Sequence, residues 1–86
     1  MADGADQYPV ASARDAILRY LSERPKASDT ASGIHRWWLN ADPRWDLNVV
    51  TTALEHLVQD ELLEALSALD GRVRYRMRVD TTRAEN

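Results

Sequence analysis

The chain has 86 residues, with 11 lysines and arginines against 14 acidic residues and a net charge of −3. This length allows one small domain and excludes two, and a hydrophobic fraction of 44% is too high for a disordered chain. The absence of cysteine excludes disulfides and thiolate metal sites.

The charges are distributed unevenly along the chain. Residues 8–79 contain ten basic and ten acidic residues, so the negative net charge comes from the two ends. We therefore predict one domain over residues 8–79, between disordered tails at residues 1–7 and 80–86.

The sequence shows neither a signal peptide nor an apolar run of about 18 residues. It predicts a cytoplasmic protein without a membrane partner.

The first helix is predicted over residues 12–24. Ser12 is a candidate N-cap, with an acidic residue three positions later as in a capping box. Pro25 is expected to end the helix, because a proline displaces the residue before it from the α region. The apolar residues at helical spacing, which predict the buried face, are Ala13, Ala16, Ile17, Tyr20 and Leu21.

The second helix is predicted over residues 29–39. Gly33 in its interior indicates either the close approach of another element or a weak helix. Trp37 and Trp38 point about 100° apart on a helix, so one of them is expected to be less buried. Otherwise the tryptophans, including Trp45, are expected in the core, because the chain contains no phenylalanine to fill it. The candidate capping residues of this helix are Ser28, Asp29 and Thr30.

The third helix is predicted over residues 46–60, with Asp46 as its N-cap. Its apolar residues recur at helical spacing and predict a buried stripe, whereas the polar residues between them predict an exposed face. The predicted stripe comprises Leu47, Val50, Leu54, Leu57 and Val58, and the predicted exposed face comprises Asn48, Thr51, Thr52, Glu55, His56 and Gln59.

A β-hairpin is predicted over residues 62–79, where the hydrophobic period changes from 3.6 to 2. The two strand sequences, LLEALSAL and RVRYRMRV, flank Asp70 and Gly71. This dipeptide suits the positive φ angles of a two-residue type I′ turn. Such a turn would place Leu66 opposite Tyr75 and fix the register of the whole hairpin.

The hairpin carries an arginine at every second position of its last strand. Side chains alternate between the two faces of a strand, so these arginines are expected to share one outer face. In the predicted register, Leu62 and Leu66 face the helices and Leu63 lies among the arginines. The four arginines are Arg72, Arg74, Arg76 and Arg78.

Three helices followed by a β-hairpin resemble a winged helix-turn-helix domain of the small bacterial-type regulators. GIHRWWL is similar to the second helix of that family, VVTTALEHLVQDELLEA to its third helix and first wing strand, and RVRYRM to its second wing strand. The resemblance covers residues 10–79. It departs from the family at Glu61, where a glycine is usual, and in a longer connection between the second and third helices. It implies an α+β fold, a three-helix winged helix-turn-helix with a C-terminal two-stranded hairpin as its wing.

The resemblance implies transcription regulation through double-stranded DNA, with the third helix in the major groove and the wing on the backbone. No lysine or arginine lies between Arg44 and Arg72, although phosphate neutralisation supplies most of the affinity for DNA. DNA contact is therefore expected mainly through the wing arginines, which can hold phosphates by bidentate contacts. The candidate base-reading residues are Asn48, Thr51 and Thr52.

A protein-interaction module without DNA binding is the alternative. Residues 45–71 hold six acidic residues and no basic residue, so an acidic third helix and a basic wing would suit an acidic partner or self-association. A third interpretation takes the arginines as the solvated face of an edge hairpin that prevents aggregation. The candidate partner-binding residues are Arg36, Trp37, Arg44 and Glu55.

The sequence favours a non-enzymatic protein without a metal ion or cofactor. His35 and His56 are its only histidines, and no motif supplies a nucleophile, a metal-ligand cluster or a phosphate loop. Both histidines are expected to be surface residues.

Overall fold

The computed structural model describes residues 2–78, with side chains described for residues 9–78. In this range the chain is α+β and contains one three-stranded antiparallel sheet of order β1-β3-β2. Val79 and the predicted C-terminal tail at residues 80–86 lie outside the described residues. The elements are α1 (Ala2–Glu23), β1 (Ser28–Thr30), α2 (Ala31–Gly33, continued by the π-helical turn Ile34–Trp38), α3 (Leu47–Gln59), β2 (Leu63–Ser67) and β3 (Val73–Met77).

Helix α1 is longer than predicted. It begins at Ala2 and continues through Pro9, so Ser12 lies inside the helix and is not its N-cap. Its end at Glu23, two residues before Pro25, agrees with the predicted stop. The predicted face is confirmed in its centre, because the fully buried residues of this helix are Ala13, Ile17 and Leu21.

Strand β1 was not predicted, and it changes the architecture of the predicted wing. Its residues were interpreted as helix caps, but they pair antiparallel with β3, with Asp29 opposite Tyr75. Only Thr30 also serves as a cap, since its hydroxyl accepts a hydrogen bond of 3.1 Å from the Gly33 N–H. The predicted two-stranded hairpin is therefore a three-stranded sheet, and the arginine-bearing strand lies at its centre, not at an edge.

Gly33 permits the close approach of β1 to α2. A Cβ atom at this position would lie 2.1 Å from Oδ1 of Asp29. That carboxylate oxygen in turn accepts a hydrogen bond of 2.8 Å from the Thr30 N–H. The glycine therefore marks a close contact, which was one of the two predicted alternatives.

The core lies between the helices and the inner face of the sheet. Trp38 and Trp45 are buried, whereas Trp37 is 65% exposed, which confirms that one of the adjacent tryptophans is less buried. The ring of Trp38 stacks on Tyr20 with centroids 4.6 Å apart.

Leu47 was predicted to be buried but is 43% exposed, because it is the first residue of α3 and the buried stripe begins one turn later. The buried stripe of α3 is Val50, Ala53, Leu54 and Leu57.

The connection between α2 and α3 turns through two consecutive left-handed residues, Asn40 with φ 58° and Ala41 with φ 51°. Leu39 and Trp45 are buried on either side of this turn and anchor it to the core. The connection leads to Asp46, whose carboxylate accepts a hydrogen bond of 2.8 Å from the Val49 N–H, as predicted for the N-cap of α3.

Helix α3 ends in a Schellman motif despite the absence of glycine. Glu61 adopts a left-handed conformation with φ 65°. Its N–H donates to the Val58 carbonyl, and the N–H of Leu62 donates to the Leu57 carbonyl, each at 3.0 Å. These two bonds satisfy carbonyls that the helix end would leave open. They also set the direction in which the chain enters β2.

The predicted register of the hairpin is wrong by one residue. Ala65 lies opposite Tyr75, and Leu66 lies opposite Arg74. The loop has three residues and not two, since the N–H of Ala68 donates to the Arg72 carbonyl at 2.8 Å. A two-residue type I′ turn would need positive φ at both central residues, and Asp70 does not adopt it.

The observed loop is closed by its own side chain and its glycine. The carboxylate of Asp70 accepts a hydrogen bond of 3.0 Å from the Arg72 N–H, and Gly71 is left-handed with φ 86°. A left-handed residue at the third position is the usual form of three-residue hairpin loops. As a consequence Leu63 is buried, while Leu62 and Leu66 are 44% and 39% exposed.

The left-handed Glu61 provides a direct test of the helix end. We expect Glu61→Gly to raise the free energy of unfolding by about 1 kcal/mol, because a left-handed conformation costs other residues roughly 1–2 kcal/mol. Glu61→Ala is the matched control, since it also removes the carboxylate but keeps the Cβ atom, and it should not stabilise the protein. Urea unfolding followed by circular dichroism measures both variants. A glycine variant no more stable than the alanine variant would contradict a strained Glu61.

Candidate functional site

The outer face of the sheet is the surface that the arginines occupy. In the observed register, Arg76 lies opposite Glu64 and Arg74 lies opposite Leu66. The inner-face neighbours Tyr75 and Met77 pack against the core, so the arginine side chains point away from the helices. We define the outer face as the four arginines together with Leu62, Glu64, Leu66 and Ala68.

Three of the four arginines face a carboxylate. Arg76 forms an ion pair with Glu64 across the two strands. Arg78 lies 3.1 Å from the Glu61 carboxylate. Arg72 lies 3.9 Å from Asp70. Arg74 has no ion pair among residues 9–78. The predicted positive stripe is therefore largely neutralised by the chain itself.

The acidic residues near α3 do not make its exposed face acidic. Asp60 pairs with Arg14 of α1 at 2.7 Å. Asp46 caps the helix. Glu61, Glu64 and Asp70 face the arginines of the hairpin as described. This leaves Glu55 as the acidic residue on the exposed surface of the helix. Among these acids, Glu61 is the one that joins the end of α3 to an arginine of the hairpin, Arg78.

The exposed surface of α3 is polar and close to neutral. Asn48 and Glu55 are exposed, while Thr51 and Thr52 are half-buried. Their spacing places all four on one side of the helix, as predicted. The hydroxyl of Thr51 donates a hydrogen bond of 2.8 Å to the Leu47 carbonyl, so its proton is already engaged.

Leu62 and Leu66 are the part of the outer face that the sequence analysis missed, since it placed Leu63 there instead. Leu62 and Leu66 are each more than one-third exposed, and Leu69 at the loop tip is fully exposed. The cause is the register, because the one-residue shift exchanges the two faces of β2. The signal was ambiguous, since leucines occupy both odd and even positions of LLEALSAL.

Trp37 is the exposed aromatic residue of α2. It lies in the π-helical turn that the Leu39 N–H closes by donating to the Ile34 carbonyl at 3.0 Å. The guanidinium of Arg36 sits 5.2 Å from the centroid of the Trp37 ring. This arginine–tryptophan pair has the composition of interface hot spots.

Arg44 belongs to a different surface. It forms an ion pair with Asp42 at 2.9 Å and lies over the Trp45 ring at 4.4 Å. The cleft it lines is built from α1, from Trp38 at the end of the π-helical turn and from the α2–α3 connection, and it contains no residue of the sheet. Among residues 9–78, no ion pair, hydrogen bond or ring contact joins Arg44 or Glu55 to the Arg36–Trp37 pair. The four predicted partner-binding residues therefore do not form one contact cluster.

The Asp42–Arg44 contact shifts the acid–base behaviour of both groups. Hydrogen bonds from the Arg44 side chain and from its backbone N–H lower the pKa of the Asp42 carboxyl below its ordinary value. The hydrogen bond to Asp42 likewise raises the pKa of the Arg44 guanidinium. Both groups are therefore charged at neutral pH, and the pair stays intact there.

Comparison with protein-family models, with curated proteins and with solved structures finds no match for this chain. In the described part of the chain, no helix combines the length and apolar character needed to cross a membrane. Among the side chains of residues 9–78, no group of three or more histidine and acidic residues could hold a metal ion. Function is therefore inferred from the surfaces described above.

The two adjacent tryptophans should respond differently to truncation. Trp37→Ala should change the free energy of unfolding by no more than about 0.5 kcal/mol, as is usual for surface positions. Trp38→Ala should lower it by roughly 3–5 kcal/mol, because it empties part of the core and removes the stacking on Tyr20. Urea unfolding measures both. A large loss for Trp37→Ala would show that its ring supports the fold, and it would then no longer be a candidate binding residue.

The Asp42–Arg44 pair predicts a pH dependence of known sign. The pKa of the Asp42 carboxyl is lower in the folded protein than in the unfolded chain, so the contact stabilises the folded state at pH values above the unfolded pKa. This contribution is lost as the pH falls through the folded pKa. Carbon-detected NMR titration should therefore give an Asp42 pKa below 3.8 that returns toward 3.8 in Arg44→Gln. The stability difference between the two proteins should shrink between about pH 5 and pH 2. An Asp42 pKa unaffected by the substitution would contradict the contact.

Proposed function

We propose that this chain is a non-enzymatic, cytoplasmic winged-helix module that binds a protein partner through the outer face of its sheet. Three helices followed by a hairpin support this proposal, and Val50, Leu54 and Leu57, which lie in the segment similar to the family's third helix, are buried. The connection at residues 39–46 is longer than the turn of three or four residues usual in helix-turn-helix motifs. We therefore place the contact surface on the wing and not on α3.

The observation that carries this proposal is the composition of the outer face in the observed register. Phosphate binding draws its affinity from uncompensated cations, yet Arg72, Arg76 and Arg78 already face carboxylates. Exposed Leu62 and Leu66 lie among them. Apolar side chains flanked by arginines are typical of protein interfaces, where arginine is enriched and apolar residues form the buried centre.

The same surface indicates the chemistry of the partner. Arg74 is exposed, lies opposite Leu66 and has no ion pair within residues 9–78. A partner that covers the leucines would remove water from this guanidinium, and an unpaired buried charge is costly. The best-fitting partner therefore presents an apolar side chain next to a carboxylate, that is, an acidic protein segment with an apolar anchor.

Double-stranded DNA is the second candidate, and one observation favours it. Arg74 is available to a phosphate, and Asn48, Thr51 and Thr52 share one accessible side of α3. In that case the module would act in transcription regulation, with the wing on the backbone and α3 at the base edges. Because most wing charges are compensated, its binding would depend on few phosphates and have a shallow salt dependence.

Charge reversal at Arg74 tests the proposed protein partner. We expect selection from a displayed random peptide library to enrich peptides in which leucine or an aromatic residue is flanked by aspartate or glutamate. Arg74→Glu should weaken binding of a selected peptide at least about tenfold, the usual effect of disrupting one buried charge-assisted contact. Arg19→Glu is the matched control, because Arg19 is an exposed arginine of α1 that also has no ion pair within residues 9–78, and it should leave the affinity unchanged.

A titration with DNA separates the two candidates. Backbone amide shifts would be followed while the labelled protein receives a mixed-sequence duplex at low and at moderate salt. The protein-binding proposal expects small, unlocalised changes even at low salt. Shifts that cluster on residues 72–78 and on the exposed side of α3, together with a failed peptide selection, would overturn it in favour of DNA.

A further inference from the structure

Strand β2 has an unpaired edge. In antiparallel pairs, opposed residues alternate between hydrogen-bonded and non-hydrogen-bonded positions. Because the N–H of Ala68 donates to Arg72 and the N–H of Arg78 donates to the Leu62 carbonyl, the pairs formed by Ala65 and Ser67 are non-hydrogen-bonded. The backbone groups of Ala65 and Ser67 therefore point away from β3, and both residues are exposed. No strand within residues 2–78 pairs with this edge.

The two edges of the sheet are protected to different degrees. Strand β1 has three residues and passes directly into α2, so little of its edge can accept another strand. Strand β2 has five residues, LEALS, without lysine, proline or bulge. Natural sheets usually block an exposed edge with such features, because the edge otherwise templates a further strand. The edge of β2 is therefore open to pairing.

From this edge we infer that β2 pairs antiparallel with β2 of a second copy of the chain, with Leu66 of each copy on the two-fold axis. In this register Ala65 of one copy lies opposite Ser67 of the other, and the two pairs exchange four backbone hydrogen bonds. The backbone groups of Leu63 also point away from β3, but Leu63 is buried. It therefore takes no part in the hydrogen bonds between the two copies. The two sheets become one six-stranded sheet.

The side chains of β2 are self-complementary in this register. The two Leu66 side chains form a non-hydrogen-bonded pair, whose Cα atoms lie about 4.5 Å apart, and each covers the exposed surface of the other. Glu64 lies opposite Ala68 of the second copy, so the carboxylates are not opposed and Glu64 keeps its ion pair with Arg76. Centring the pairing on Glu64 would bring two like charges together, which destabilises cross-strand pairs. A two-fold axis needs a self-complementary surface of this kind.

The dimer is expected to be weak. One added strand per subunit is a small interface of the weak, transient class, so we expect a Kd between about 10 µM and 1 mM. The inference does not depend on the proposed partner, although both surfaces include Leu66. The dimer is argued from the backbone edge at Ala65 and Ser67, and the partner from the charge of Arg74, which is unpaired within residues 9–78. Arg74→Glu should leave the dimer intact.

Sedimentation equilibrium of the full chain over this concentration range tests the dimer. We expect a monomer–dimer equilibrium that Leu66→Lys abolishes, because it opposes two ammonium groups at the axis. Leu47→Lys is the control, since Leu47 is 43% exposed against 39% for Leu66 and lies on α3. It should leave the equilibrium unchanged. A chain that is monomeric at 1 mM would overturn the inference, as would a dimer that tolerates Leu66→Lys.

Amide hydrogen exchange tests the same register in the unmodified protein. Exchange of the Ala65 and Ser67 amides should slow at least about tenfold when the protein is concentrated across the dimerisation range, because these two N–H groups become hydrogen-bonded. The Trp37 and Asn48 amides should be unaffected. Concentration-independent exchange at Ala65 and Ser67 would overturn the inference. The inference would also be overturned if the protein stayed monomeric and an added peptide protected the Ala65 and Ser67 amides. In that case the edge of β2 would bind a strand of another chain.

Discussion

The three-residue loop at residues 69–71 sets the properties of the whole sheet surface. Gly71 takes a left-handed conformation, and the Asp70 carboxylate binds the Arg72 N–H. These two features fix which residue of β2 opposes each residue of β3. The Schellman motif at the end of α3 constrains the register from the other end of β2. It sets the direction of the chain so that Leu63, and not Leu62, packs in the core. Two short-range constraints therefore agree on one register.

This register decides the electrostatics as well as the packing. It places Glu64 beside Arg76, while the loop and the helix end bring Asp70 and Glu61 to the neighbouring arginines. An alternating row of arginines thereby becomes a compensated surface with exposed leucines. The individual ion pairs are exposed and contribute little stability. In the proposed function their larger effect is on recognition, since a compensated surface would attract phosphates weakly and would offer apolar area to a protein.

The buried faces of α1 and α3 could be predicted from the sequence because their apolar residues recur at helical spacing, as at Ile17 and Leu54. The register could not, because LLEALSAL places leucines at both parities and burying either set looks acceptable. Strand β1 was missed because three polar residues give no period-2 signal. The arginine row was located correctly, yet its neutralisation depends on the register. Because the turn was predicted wrongly, neither the exposure of Leu66 nor the ion pair between Arg76 and Glu64 was predicted.

The most direct test of this register is a set of Hα–Hα nuclear Overhauser contacts across the hairpin. Directly opposed residues in non-hydrogen-bonded pairs bring their Cα atoms to about 4.5 Å, which gives strong contacts. We expect such contacts between Ala65 and Tyr75 and between Leu63 and Met77. A contact between Leu66 and Tyr75 would establish the two-residue loop instead. Glu64 would then leave the arginine face, and the case for a compensated, protein-binding surface would fail.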